Sequence, residues 1–122
     1  MNYIVYYILN TKTYQFYIGS TNGDGIKRFK EHQALLRNNK HHNKKLQLAW
    51  DKDGSSCFWF GVLEFIDDIE LLLLHEQKWI DYFWDTGILY NHSRYAGYKK
   101  KNKCCPKQIE MIKELCKIIE KN

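Results

Sequence analysis

The first twenty residues constrain this chain most. Tyr3-Ile4-Val5-Tyr6-Tyr7-Ile8-Leu9 and Tyr14-Gln15-Phe16-Tyr17-Ile18-Gly19-Ser20 are runs rich in β-branched and aromatic residues, separated by the polar Asn10-Thr11-Lys12-Thr13. Such a pattern predicts a two-stranded hairpin. Side chains alternate along a strand, so Tyr3, Val5, Tyr7 and Leu9 share one face of the first run, and Ile4, Tyr6 and Ile8 share the other. Neither face is polar. A strand apolar on both faces needs cover on both, which makes this hairpin core rather than edge. Tyr6 and Tyr17 carry hydroxyls into that core, and each needs a partner there. Taken alone, they are packing tyrosines.

The chain has 122 residues, of which 44% are hydrophobic and 27% charged. That suits one folded domain, not a disordered or fibrous chain. No apolar run approaches the roughly 18–20 residues of a membrane span. The N-terminus lacks the basic and apolar regions of a signal peptide, so an intracellular location is expected. The four cysteines, Cys57, Cys104, Cys105 and Cys116, have no metal-binding spacing and read as free thiols. A net charge of +5 favours polyanionic partners. Arginine occurs only at Arg28, Arg37 and Arg94 among many lysines, so each is a specific choice.

Thr21-Asn22-Gly23-Asp24-Gly25 reads as a loop, followed by a predicted helix over residues 26–38. At about 100° per residue, Arg28, Phe29, His32, Leu35 and Leu36 share one arc, with the polar residues opposite. Arg28 and His32 are thus one turn apart inside an apolar arc, where the plain reading is a pair snorkelling at its edge. The adjacent His41 and His42 lie in a polar loop and read as surface residues. A second helix, 44–52, buries Leu46, Ala49 and Trp50 and stops at Gly54. Cys57-Phe58-Trp59-Phe60-Gly61-Val62-Leu63-Glu64-Phe65 is a third strand, too apolar to be exposed.

Asp67 or Asp68 caps a third helix that runs to Trp84 and is ended by Thr86-Gly87. Ile69, Leu72, Leu73, Ile80 and Phe83 form its inward stripe, while Glu70, Gln77, Lys78, Asp81 and Asp85 lie opposite. Glu76 falls near the middle of the apolar stripe. A carboxylate there must be protonated, paired with a cation such as Arg28, or bound to a metal, because an isolated buried charge is costly. Beyond Asn91 come Arg94 and the run Lys99-Lys100-Lys101-Asn102-Lys103. Pro106 then opens a final amphipathic helix carrying Ile109, Ile112, Leu115, Cys116 and Ile119.

These residues, in this order, resemble the GIY-YIG nuclease domain across about residues 3 to 92. Tyr17-Ile18-Gly19 stands intact, while Ile4-Val5-Tyr6 occupies the first half of the signature with its tyrosine kept and its glycine lost. The chain is most similar to the homing-endonuclease branch, whose loop histidine falls on His41 and whose Leu-Gln pair falls on Leu46-Gln47. The resemblance implies an α+β fold, a small three-stranded antiparallel sheet flanked by helices, here with an extra C-terminal helix. It divides the chain into a catalytic domain, 1–92, and a basic segment plus amphipathic helix, 93–122.

Phosphodiester hydrolysis needs an activated water, charge relief on the phosphate and help for the leaving oxygen. One inward carboxylate, Glu76, calls for a single divalent cation, with waters and substrate completing its shell. The resemblance makes Glu76 a ligand to Mg²⁺ or Mn²⁺. Arg28 suits the scissile phosphate. Tyr6 is favoured as the base, with His32 its hydrogen-bond partner and a proton acceptor, and Tyr17 as the residue orienting water. The resemblance adds His41 and Asn91 as supporting residues. Lys40, Lys44, Arg94, Lys99, Lys100, Lys101 and Lys103 would face nucleic acid. The expected function is metal-dependent cleavage of double-stranded DNA, of the homing, mobile-element or phage and viral type, with a homodimer or an added targeting domain or partner as options. Two alternatives stand beside it, a catalytically silent nucleic-acid-binding module and a repair or restriction nuclease acting with a partner.

Overall fold

β-branched and aromatic residues on both faces of the first run put it at the centre of the sheet. A computed structural model of the chain describes residues 3–96, in which strands β1 (Tyr3–Asn10), β2 (Phe16–Thr21) and β3 (Phe58–Ile66) form an antiparallel sheet of order β2-β1-β3. The expected α+β fold with a three-stranded antiparallel sheet is therefore present. Helices α1 (Gly25–Arg37) and α2 (Lys44–Asp53) lie between β2 and β3, and α3 (Ile69–Trp84) follows β3. Each helix starts on a side-chain cap: Asp24 accepts from Ile26 N, Asn43 from Leu46 N and Asp68 from Glu70 N.

The two faces of β1 nucleate two cores. Ile4, Tyr6 and Ile8 join Leu36, Leu46, Trp50, Phe58 and Tyr90, while Val5 joins Ile18, Ile66, Leu72, Ile80 and Leu89. Side-chain alternation on one strand thus sends α1 and α2 to one side of the sheet and α3 to the other. The hairpin's second strand lies at the sheet margin, yet it is covered: Phe16 bridges in parallel to Leu89, with Phe16 N donating to Ile88 O and Tyr90 N to Phe16 O. Ile4, standing where the signature has glycine, is buried, and its Cδ1 lies only 2.7 Å from where a Cβ on Gly25 would sit. The glycine lost from the strand is matched by space left at the start of α1.

Four sequence expectations are corrected. Tyr14 belongs to the turn, with φ of 63° and its amide donating to Asn10 O, because Asn10 closes the turn through its own side chain and backbone. Strand β3 is an edge strand and is not buried throughout; Trp59 and Phe65 are each 65% exposed. Its register shifts opposite Val5 and Tyr6, which re-aims the following side chains. On α3, Ile69 and Leu73 are exposed, whereas Gln77 and Lys78 are buried. The physical cause is polar pairing. The Gln77 amide donates to Arg94 O and to Asp81, and its oxygen accepts from Ala96 N, so residues 94–96 cover that side of the helix. Lys78, His75 and Trp79 all donate to one Glu64 oxygen, at 2.7, 3.0 and 3.0 Å. Leu35, expected within the α1 arc, is also exposed in part. The basic run and the C-terminal helix lie outside the described residues.

Candidate active site

Tyr6 sits at the middle of β1, opposite Gly19 of β2. Its ring lies directly over that glycine, where a Cβ would be 2.5 Å from the Tyr6 Oη. Phe60 bounds the ring on the β3 side at 5.1 Å between centroids. The α1 helix brings its one-turn pair onto the same oxygen: His32 Nε2 lies 2.6 Å from Tyr6 Oη, and Arg28 Nε donates to it at 3.3 Å. Arg28 also pairs with Glu31 at 3.0 Å. His32 is 1% exposed, so this is no snorkelling pair at the arc's edge.

The loop between α1 and α2 closes the site. His41 is buried while His42 is exposed, so the surface reading holds only for the second histidine. His32 Nδ1 lies 2.8 Å from His41 Nε2, and His41 Nδ1 accepts from the backbone amide of Asn43 at 3.0 Å. Gln47 holds the loop in place, its oxygen accepting from His41 N and its amide donating to Leu36 O. Tyr17 presents its ring edge to His32 at 5.6 Å and to His41 at 6.2 Å.

Asn91 pairs with β2 through its side chain. Its Oδ1 accepts from Ile18 N and its Nδ2 donates to Ile18 O, both at 2.9 Å, so one side chain continues the parallel pairing of residues 88–90 with β2. Both groups of Ile18 would otherwise be unpaired in the core, a loss of about 1–3 kcal/mol each. Asn91 thereby fixes the backbone between Tyr17 and Gly19.

From the other side of the sheet, α3 delivers Glu76, 8% exposed, into a cavity of about 190 Å³ that Tyr17, His42, Asn91 and His92 also line. The expected alternative of an ion pair with Arg28 is not formed; Arg28 is engaged by Tyr6 and Glu31. Among the described residues no cation forms an ion pair with Glu76. Burial pushes its carboxyl up to about 7, against the opposing pull of the Ser20 hydroxyl.

The remaining groups respond to burial in their own directions. Burial raises Tyr6 to about 12 in spite of the Arg28 charge and hydrogen bond, and raises Tyr17, with Tyr6 and Glu76 adding to it. Burial, with Arg28 next in size, lowers His32 to about 3; burial, then His42 and Arg28, lowers His41 to about 4. Both imidazoles are neutral at pH 7. Their folded values lie below the unfolded one, so the stability they contribute is complete above about pH 6.5 and is lost as pH falls through 4 and 3.

Among the expected nucleic-acid contacts, Lys40 and Lys44 are exposed. Arg94 Nε is committed to Asp81 at 3.0 Å. Lys99, Lys100, Lys101 and Lys103 lie outside the described residues. Three residues of the site escape sequence reasoning: His42, His92 (whose Nε2 accepts from Lys44 N) and Asn43. Asn43 acts through its backbone amide, for which side-chain type gives no signal.

Comparison with known proteins identifies the family. The family model of the GIY-YIG catalytic domain matches residues 2–86. Two solved structures are similar: a glutamate-to-alanine mutant of the catalytic domain of intron endonuclease I-TevI and the catalytic domain of homing endonuclease I-TevI. The first has a TM-score of 0.71 and 30% identity, covering 81% of this chain and 100% of that one. The second has a TM-score of 0.67 and 30% identity, covering 75% and 98%. No curated protein sequence matches the chain. With the family model matching over most of the chain and the three-stranded sheet in place, the chain belongs to the GIY-YIG family and is a nuclease.

Proposed function

We propose that the protein is a DNA endonuclease that hydrolyses phosphodiester bonds with one divalent cation, Mg²⁺ or Mn²⁺, held by Glu76. The observation that carries this reading is a buried carboxylate with no cation beside it among the described residues. Glu76 lines a cavity beside Tyr17, and among the described residues it has no cationic partner. An ionised carboxylate so placed needs a counter-charge, and a cation supplies it. Among the described residues no three His, Cys, Asp or Glu side chains could hold a metal ion together. One carboxylate, with waters and substrate oxygens completing the shell, suits a hard cation of the Mg²⁺ type and not a thiolate or imidazole site. When bound, the cation would neutralise charge on the phosphate oxygens and the leaving oxygen.

The chain's own residues divide the remaining work. Arg28, half-buried and always charged, faces the scissile phosphate, where charge develops. Tyr17 orients the attacking water, and Tyr6 takes its proton. His32 and His41 hold the Tyr6 oxygen in position, and Asn91 holds the strand that carries Tyr17. Lys40 and Lys44, with the lysines of 99–103 and Arg94, would track the phosphate backbone of double-stranded DNA. A single site of this kind cuts one strand per encounter, so a double-strand break would take two encounters, a homodimer or a targeting partner. The similarity to an intron endonuclease supports a homing or phage type and an intracellular location. Among the described residues no helix is long and apolar enough to cross a membrane.

Supercoiled plasmid incubated with Mg²⁺, Mn²⁺ or EDTA tests the reading. The wild-type chain is expected to give open-circle product before linear product, with either metal and not with EDTA. The Glu76→Ala variant is expected to nick at least about 10²–10³-fold more slowly, a loss of the size that removing a key electrostatic group produces. Cleavage in EDTA, or undiminished cleavage by the variant, would refute it.

A further inference from the structure

The buried histidines carry a directional signal. A neutral imidazole has one N–H and one lone pair, so a chain of such rings has a polarity that either end can set. Here one end is set by a group that can only donate. The Asn43 backbone N–H points at His41 Nδ1 across 3.0 Å. His41 Nδ1 is therefore the lone pair, and its proton is on Nε2. That Nε2–H faces His32 Nδ1 at 2.8 Å, so His32 Nδ1 is the acceptor and its own proton is on Nε2. His32 Nε2–H in turn faces Tyr6 Oη at 2.6 Å. Arg28 Nε–H donates to the same oxygen.

We infer that the Asn43 amide is a positioning group that polarises the His41–His32–Tyr6 chain, so that His32 donates to the Tyr6 oxygen and does not receive the Tyr6 proton. This rests on the proposed role of Tyr6 and alters the expectation that His32 is its proton acceptor. The reverse polarity would set His41 Nδ1–H against the Asn43 N–H, two donors facing each other in a buried place. Asn43 is held where it must be to enforce this. It is 2% exposed, its side-chain oxygen caps α2 at Leu46 N, and its Nδ2 donates to Tyr90 O.

The consequence concerns the proton path. Both hydrogen bonds at Tyr6 Oη among the described residues are ones that it accepts, so its own O–H has no protein base to receive the proton. Burial keeps Tyr6 protonated at pH 7, so no free phenolate precedes the attack. As the attacking water forms its bond to phosphorus, its proton passes to the Tyr6 oxygen while the phenol's own proton passes to a solvent water. The two N–H donors hold that oxygen throughout the exchange. The bond to the 3′-oxygen breaks, and that oxygen is protonated from solvent.

Imidazole ¹⁵N spectra of the full chain at pH 7, without DNA or metal, test the polarity directly. His32 and His41 are both expected in the neutral Nε2–H form. A His32 in the Nδ1–H form overturns the proposal. Two substitutions of nearly equal shape extend the test. In His41→Gln the side-chain amide can still donate to His32, which is expected to stay Nε2–H. In His41→Glu the carboxylate can only accept, and His32 is expected to move its proton to Nδ1. Nicking by the Glu variant should then be at least about 10-fold slower than by the Gln variant, because the Tyr6 oxygen loses one of the two N–H donors that stabilise charge on it. If the Glu variant matches or exceeds the Gln variant while its His32 is Nδ1–H, the inferred direction is wrong. The tautomers are read without cleavage, so a chain that does not cut DNA would remove the functional reading and leave this one standing.

Discussion

Glu76→Gln is expected to make the metal-free protein more stable at pH 8 while abolishing cleavage. The Glu76 carboxyl titrates near 7 in the fold against 4.5 unfolded. Below pH 4.5 both states are protonated and the group is neutral with respect to folding. As pH rises from 4.5 to 7 the unfolded chain ionises first, so folding stability falls, and the loss is complete above 7. At about 1.4 kcal/mol per pKa unit, that loss is on the order of 3 kcal/mol. Glutamine keeps the shape and the contact with Ser20 but has no charge to desolvate. After the smaller cost of burying an amide, the variant should gain about 1–3 kcal/mol over wild type at pH 8 in EDTA. The gain should vanish below pH 4.5. Urea denaturation of both proteins at pH 4 and pH 8 measures it, and the acid loss from His32 and His41 cancels because both proteins share it. Equal stabilities at pH 8 would mean that Glu76 already has a counter-charge within the chain.

Gly19→Ala is expected to damage the site more than any other single methyl. The added Cβ would meet Tyr6 Oη at 2.5 Å and Cζ at 2.6 Å. Tyr6 cannot swing aside, since it is 1% exposed, lies against Phe60 and is held at its oxygen by His32. Overpacking of this kind costs about 1–3 kcal/mol. Displacing the hydroxyl by about 1 Å should lower the nicking rate by roughly 10²-fold. Two other glycines serve as controls. A Cβ at Gly23 meets only Thr21 Oγ1 at 3.9 Å, so Gly23→Ala should leave both stability and nicking unchanged. A Cβ at Gly61 would strike the Tyr7 ring at 2.2 Å, away from the site, so Gly61→Ala should cost stability and spare much of the rate. A Gly19→Ala protein that nicks within about 3-fold of wild type would show that Tyr6 is not placed by this contact.

These contrasts separate what local sequence encodes from what it does not. Alternation in β1 predicts two buried faces, and the fold uses both, because strand period is a property of neighbouring residues. Helical period likewise places Arg28 and His32 together and turns Glu76 inward. The errors arise where a distant polar group overrides the period. Gln77 and Lys78 read as outward, yet residues 94–96 and Glu64 cover them through hydrogen bonds. His41 reads as surface, yet Gln47, Asn43 and His32 bury it. Trp59 and Phe65 read as core, but β3 is the last strand of the sheet. Asn91 enters the site by resemblance alone, and only the fold shows its amide standing in for a strand's backbone. Side-chain identity made the family constellation legible, whereas the Asn43 amide, which every residue but proline possesses, could not be singled out.

The central claim is that one carboxylate, Glu76, holds one catalytic cation. Manganese bound to the chain in the presence of a short DNA duplex, counted by electron paramagnetic resonance, tests it most directly. The account predicts one Mn²⁺ per wild-type chain and none for Glu76→Gln. Two ions per chain, or one ion retained by the variant, would contradict it.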